Sequence, residues 1–148
     1  MKYLFAGVLS TLFVTGATAA VHPGAAAALP PAHTRGEITW LTGGIGRDEA
    51  RAFEHQAASY PLELVFVQKA GGHDQFLADV PLTIRDAHHH VVFDGRTDGP
   101  YFLARLPHGE YQVNAHWQDW DFSRQVRIGA KHERVVFEWK KGGRAASA

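Results

Sequence analysis

The sequence of 148 residues contains no cysteine, which excludes thiol catalysis, disulfide exchange and thiolate metal sites. It also lacks an excess of charge of either sign, because Lys and Arg number 15 and Asp and Glu number 15. A nucleic-acid partner is therefore not expected, since such proteins usually gather basic residues on one face. The apolar fraction of 45% is sufficient for a packed core without disulfides.

Long apolar runs are scarce, and the only extended one spans Leu4 to Val14, after the basic residue Lys2. This run is shorter than the roughly 20 residues that a helix needs to cross hydrocarbon. The small residues Ala17 to Ala19 follow it at the position where a signal peptidase cleaves. These features predict a secretory signal peptide over residues 1–20 and no membrane span after its cleavage.

Removal of such a signal leaves 128 residues (148 − 20), which is enough for one domain. Residues 21–35 are rich in Ala, Pro and His, and this composition predicts a flexible leader. Residues 140–148 predict a flexible tail for the same reason. The folded unit is expected over residues 36–139.

Apolar residues alternate with period two through most of this unit, as in Leu62 to Phe66 and Tyr111 to Trp117. One helical pattern, over residues 47–60, ends before Pro61. An open parallel sheet needs several helices between its strands, and only one is predicted here. The expected fold is mainly β: an antiparallel β-sandwich of about seven strands, prealbumin-like or Ig-like, with one N-terminal helix.

A short motif, Leu-Pro-x-Gly-x-Tyr-x-Val-x-Ala, lies in the segment from Val80 to Ala115. Its matching positions are Leu106, Pro107, Gly109, Tyr111, Val113 and Ala115. With this motif the segment resembles carboxypeptidase regulatory-like domains, relatives of transthyretin-type and carbohydrate-binding-like sandwiches. In physical terms, Pro107 and Gly109 suit the turn, and the alternating apolar residues after them suit the core. The resemblance implies an accessory, binding or adhesive module without naming its ligand.

The whole chain also resembles small exported proteins of Gram-negative bacteria. This second resemblance implies a periplasmic location for the mature protein.

A glycine-rich segment, Thr42 to Gly46, separates the first predicted strand from the helix, where such loops can bind phosphate. The details favour a plain turn instead. The segment lacks a Gly-Lys-Ser/Thr ending, and Glu49 stands where the dinucleotide fingerprint has its third glycine. Asp48 and Glu49 would also repel an anion.

Histidine is abundant, with ten residues, three of them consecutive from His88 to His90. In an extended segment His88 and His90 point the same way and could share a zinc or copper ion, with further ligands from His73, His108 or His116. A polar turn between two strands is the alternative interpretation. Because a closed site needs three or four converging ligands, no cofactor is expected, and metal binding is a third hypothesis.

Aromatic residues suggest a second kind of site, because flat rings at the edge of a sandwich can stack on sugars. Trp117 is in phase with the apolar residues that face inward, so Trp120 and Tyr101 are the candidate ligand-binding residues. Ser59 and Ser123 lack the context of a nucleophile elbow, and the chain lacks the tyrosine-bearing C-terminal motif of transthyretin-related hydrolases. No catalytic residue is predicted.

The sequence thus predicts a non-enzymatic periplasmic module that binds or scaffolds a protein or glycan partner through sheet edges and loops. Binding of carbohydrate, such as cell-wall glycan, is the alternative. Metal binding by His88 and His90 is third.

Overall fold

The computed structural model describes residues 28–141, and strands dominate this part of the chain. The elements are β1 (His33–Arg35), β2 (Ile38–Gly43), α1 (Arg47–Ala57), β3 (Leu62–Ala70), β4 (His73–Phe76), β5 (Pro81–Asp86), β6 (Val91–Arg96), β7 (Tyr101–Arg105), β8 (Gly109–Trp117), β9 (Trp120–Ile128) and β10 (Glu133–Lys140). The predicted signal peptide, the first part of the leader and most of the tail lie outside the described residues. Within residues 28–141, no helix combines the length and apolarity needed to cross a membrane.

The strands form two sheets. The first has the order β1-β2-β7-β3-β10, with β4 also paired to β3, and the second has the order β6-β5-β8-β9. All pairs are antiparallel except β3 and β10, which run parallel. The prediction of a mainly β fold with one helix is confirmed, but the described chain has ten strands and a mixed first sheet instead of about seven antiparallel strands.

Two features account for this difference. Strands β1 and β4 are exposed along their whole length, so they carry no apolar alternation that would predict a strand. The parallel direction of β10 depends on how the chain returns to β3, a choice that local sequence patterns do not encode.

The two sheets share one apolar core, called here the inter-sheet core. Phe66 and Phe137 of the first sheet stack in it with ring centroids 5.4 Å apart. Other members come from both sheets and include Leu64, Phe102 and Trp139 from the first and Leu82, Ile84, Val113 and Phe122 from the second. This shared core gives the molecule its sandwich-like character.

Helix α1 covers the outer face of the first sheet and creates a second apolar cluster, the helix-side core. Phe53 and Ala57 of the helix contact the sheet there. The sheet contributes Leu41, Val65, Val67, Tyr101 and Leu103. Because both faces of the first sheet are covered, seven consecutive residues of β3, from Leu62 to Gln68, are buried.

The helix ends three residues before the predicted boundary at Tyr60. The N–H groups of Ser59 and Tyr60 donate to the carbonyls of Gln56 and Ala57 in a closing turn. Tyr60 still packs against the helix-side core although it lies outside the helix. Its position in the apolar pattern therefore marks a residue that packs on the core and not the end of the helix.

Within the described residues, strand structure begins before the expected boundary at Gly36. Strand β1 lies inside the segment predicted as a leader and pairs with β2, placing His33 opposite Trp40. The rings of these two residues stack at 5.6 Å. Further upstream, Leu29 packs against the helix-side core.

The turn between β7 and β8 is fixed by a side chain. The Tyr111 hydroxyl donates to the Pro107 carbonyl at 2.8 Å, and Tyr111, Val113 and Ala115 are buried as the alternation predicted. This arrangement is similar to the tyrosine corner of sandwich folds. Burial, followed by the nearby carboxylates of Asp86 and Glu37, raises the pKa of Tyr111 above its ordinary value.

Candidate functional site

An open groove of about 580 Å³ lies between the first half of α1, the loop before it and the residues that end and follow β4. We call it the α1–β4 groove. Gly44 to Gly46 form one wall, Phe76 to Ala78 form a second wall, and Arg47 and Arg51 line the groove from the helix. Its volume falls in the range of typical ligand sites.

Exposed apolar side chains stand on both walls. Ile45 is 63% exposed and Phe76 is 56% exposed, the two highest values among the large apolar residues that the structure describes. Exposed large apolar side chains that line one concave surface are typical of binding sites. The groove therefore has the apolar character of a site that a partner covers.

The glycine-rich loop is shaped by close packing. At Gly44, where φ is +94°, a side chain would overlap the Tyr101 ring, and at Gly99 it would overlap the Gly43 carbonyl. The Gly44 N–H group donates to the Glu49 carboxylate at 2.8 Å, so this amide is already occupied. These contacts support the interpretation of the loop as a turn instead of a phosphate cradle.

Two arginines give the groove positive charge. Arg47 and Arg51 are exposed and lie one helical turn apart, on the same side of α1. Neither forms an ion pair with another residue of the described range. The lining also includes Glu54, whose carboxylate accepts the Tyr101 hydroxyl at 3.0 Å.

Tyr101, one of the two predicted ligand-binding residues, lies beneath this groove and not on the open surface. It is 3% exposed, and its ring packs between those of Phe53 at 5.7 Å and Phe76 at 6.0 Å. Burial, together with the hydrogen bond to Glu54, raises the pKa of Tyr101 to about 12. The Tyr101 phenol is therefore neutral at physiological pH and packs beneath the residues that line the groove.

Trp120, the other predicted ligand-binding residue, lies at the hairpin that joins β8 and β9, directly across from Trp117. Both indoles are half-buried against the inter-sheet core. Tyr101 belongs to the helix-side core, so the structure does not bring the two predicted residues together. Sugar stacking on Trp120 stays a prediction.

The predicted metal residues lie in the exposed turn between β5 and β6. The Asp86 carboxylate accepts the N–H groups of His88 and His90 at 2.8 and 2.9 Å, which fixes the turn. Burial alone would raise the pKa of Asp86, but the bonds from His90 and His88 lower it below its ordinary value. The rings of His88 and His90 have centroids 6.0 Å apart.

Further ligands do not gather at this turn. In the range 28–141 the structure has no group of three or more His, Cys, Asp or Glu side chains placed to hold a metal ion. His116, one of the proposed additional ligands, bonds Asp121 at 2.7 Å instead. The zinc or copper hypothesis at His88 and His90 stays a prediction.

Sequence reasoning missed a buried ionic cluster at the C-terminal end of α1. Glu63, with a side chain only 5% exposed, lies 3.0 Å from His132 Nε2 and 3.2 Å from Arg134 Nε. His132 Nδ1 donates to the Tyr60 carbonyl at 2.7 Å. Glu63 alternates along β3 with Leu62 and Leu64, which belong to the inter-sheet core, so apolar periodicity alone does not predict its burial. Recognition that the helix covers this face would have predicted its burial.

Comparison with protein-family models, curated proteins and solved structures gives no match to this chain. The resemblance of the Val80–Ala115 segment to carboxypeptidase regulatory-like domains therefore stays a prediction.

Proposed function

We propose that this protein is a non-enzymatic binding module of the periplasm that holds a partner in the α1–β4 groove. The observation that carries the proposal is the exposure of Ile45 and Phe76 in the lining of one groove. Full burial of such a side chain is worth about 1.5–3 kcal/mol. A partner that covers both would gain a substantial part of its binding free energy from them.

The paired state of the nearby carboxylates supports a role without catalysis. Glu54 accepts the Tyr101 hydroxyl, and Glu49 accepts the Gly44 amide. Both acids thus fasten α1 and its preceding loop, and their hydrogen bonds serve the structure of the groove.

The periplasmic location and the carboxypeptidase regulatory-like architecture are parts of the same proposal. The N-terminal sequence supports export. The two sheets and the bond from Tyr111 to Pro107 support a sandwich module of this general kind.

Site-specific photo-crosslinking in cells tests the proposal. The full-length chain is expressed with p-benzoylphenylalanine in place of Ile45, Phe76 or, as a control, Val91. Val91 is 53% exposed and belongs to the second sheet. We expect a discrete adduct from Ile45 and Phe76 and little from Val91, because only the first two line the groove.

A second variant links the adduct to the groove itself. Ala78→Trp adds a large side chain to the wall and should abolish the adduct at Phe76, provided that its thermal unfolding is unchanged. Equal adduct yields at Phe76 and Val91, or an adduct that persists in the folded Ala78→Trp variant, would show that the groove is not the binding site.

A further inference from the structure

We propose that the partner is an extended peptide that adds a strand to the free edge of β4 and presents carboxylates to Arg47 and Arg51. This inference rests on the proposed function and specifies the chemistry of the partner in the same groove.

The first sheet has a gap of one strand at this position. Along one side of β3, β7 pairs with Leu62–Val65, and β4 pairs with Val67–Ala70. Strand β2 pairs with β7 up to the pair of Gly43 and Tyr101. The chain then leaves the sheet and leads into α1. No strand of the described range occupies the corresponding position beside β4, and the groove opens there.

The backbone of β4 offers free hydrogen-bonding groups toward this gap. A two-residue turn, Gly71–Gly72, joins β3 to β4 with φ values of +61° and +83°. The Leu77 N–H group donates to the Phe66 carbonyl, which sets the alternation along β4. Since alternate residues of an antiparallel pair face the partner strand, the backbone groups of Asp74 and Phe76 face away from β3. Such an edge is a template for an added strand.

Side chains of the added strand would meet an apolar surface on the helix side. Phe76 lies opposite Val67, a member of the helix-side core, so its ring stands on the face that α1 covers. Every second residue of an added strand would point to this face and contact Phe76 and Ile45. The geometry therefore selects a peptide with apolar residues at alternate positions.

The positive charge of two arginines favours acidic residues at other positions of the peptide. Arg47 and Arg51 lack ion-pair partners within residues 28–141, and a guanidinium binds a carboxylate through two parallel hydrogen bonds. Glu54 also lines the groove and keeps its negative charge when it accepts the Tyr101 hydroxyl, so the described lining holds two arginines and one carboxylate. We therefore expect Asp or Glu residues in the part of the peptide nearest α1.

Selection from a displayed library of random peptides tests this inference on the full chain processed and purified from the periplasm. We expect enriched sequences that alternate apolar residues with Asp or Glu, and binding of a synthetic peptide of that sequence by fluorescence polarisation. Arg51→Gln should weaken its binding about tenfold, the loss of one charge-assisted contact. Lys131→Gln, a matched neutralisation in the exposed β9–β10 loop, should leave binding unchanged.

Amide hydrogen exchange tests strand addition directly. The bound peptide should slow exchange at Asp74 and Phe76, whose amides face the gap, and leave Gln75 unchanged because it already pairs with β3. N-methylation of alternate peptide amides should weaken binding more than about tenfold if those amides pair with β4.

Three outcomes would overturn the inference. Enrichment of basic peptides, unchanged exchange at Asp74 and Phe76, or binding that tolerates N-methylation would each exclude an acidic strand at β4. If Ile45 and Phe76 form a discrete adduct and no selected peptide binds, strand addition fails while a binding function at the groove survives. Failure of crosslinking at Ile45 and Phe76 together with absent peptide binding would remove both proposals.

Discussion

Tyr101 shows how burial of a single residue sets its chemistry. Its hydroxyl donates to Glu54 and thereby ties α1 to the first sheet. Between the ordinary value of 10.0 and the folded pKa of about 12, the unfolded chain loses this proton and the folded chain keeps it. The stability that the raised pKa of Tyr101 contributes is fully present below pH 10.0. It is lost as pH rises through this window.

We predict that Tyr101→Phe removes this alkaline loss of stability and lowers the free energy of unfolding at neutral pH by about 1.5–3 kcal/mol, the value of a hydrogen bond to a charged group. Urea denaturation at neutral and alkaline pH measures both effects. Absorbance titration should show one late-ionising phenol fewer than in the unsubstituted chain. A late step of unchanged size in Tyr101→Phe would contradict the assignment.

The turn of His88 and His90 gives a second test at the scale of residues. The metal hypothesis predicts one zinc or copper ion per chain in native mass spectrometry and its loss in the His88→Ala/His90→Ala variant. The fold should be unaffected, because Asp86 binds the backbone amides of these residues, which the substitutions keep. His55→Ala, a change at an exposed position of α1 that belongs to none of the candidate ligands, is the control. A chain without a bound ion at stoichiometric metal would exclude the hypothesis.

At the scale of elements, the cluster of Glu63, His132 and Arg134 holds the end of α1 and the start of β10 together. The acid comes from β3, Arg134 comes from β10, and His132 also reaches the Tyr60 carbonyl after the helix. A buried carboxylate that loses a hydrogen-bonding partner is costly because its desolvation is no longer compensated.

We predict that His132→Ala lowers the free energy of unfolding by about 1–3 kcal/mol, because it removes one bond to the buried acid and one to the Tyr60 carbonyl. Lys69→Ala, which breaks the exposed Lys69–Glu138 pair between the same two strands, should cost less than about 1 kcal/mol. Urea denaturation compares the two variants. Equal losses would show that burial of Glu63 contributes nothing extra.

The elements also differ in how well their sequences predict them. The bounds of strand β7, Tyr101–Arg105, follow from the sequence because an apolar run lies there between clear turn residues. Strand β4 has no such signal, since its four residues are exposed and its pairing depends on the Gly71–Gly72 turn. Apolar periodicity therefore does not predict the wall of the groove that β4 forms.

At the scale of the whole molecule, β3 joins the two cores. Leu64 and Phe66 face the inter-sheet core, whereas Val65 and Val67 face the helix-side core. A rigid strand shared by both clusters couples their packing, so the loss of one removes support from the other.

We predict that the protein unfolds in one cooperative transition, with coincident urea curves from tryptophan fluorescence and far-ultraviolet circular dichroism. Phe53→Ala should lower both midpoints together, by about 3–5 kcal/mol in stability, because Phe53 is fully buried in the helix-side core. Val91→Ala, at an exposed site, should change little. Loss of the helical signal at lower urea than the fluorescence change would show that α1 unfolds separately.

The sequence by itself determined the mainly β class, helix α1 and the inward positions of Tyr111, Val113 and Ala115, because apolar periodicity and turn residues act locally. Only the tertiary structure decided which faces are covered. It buried Tyr101 and Glu63 under α1, left Ile45 and Phe76 exposed on one groove, and ran β10 parallel to β3. These outcomes depend on contacts between residues far apart in the chain, and a local pattern records only that a residue is apolar or polar.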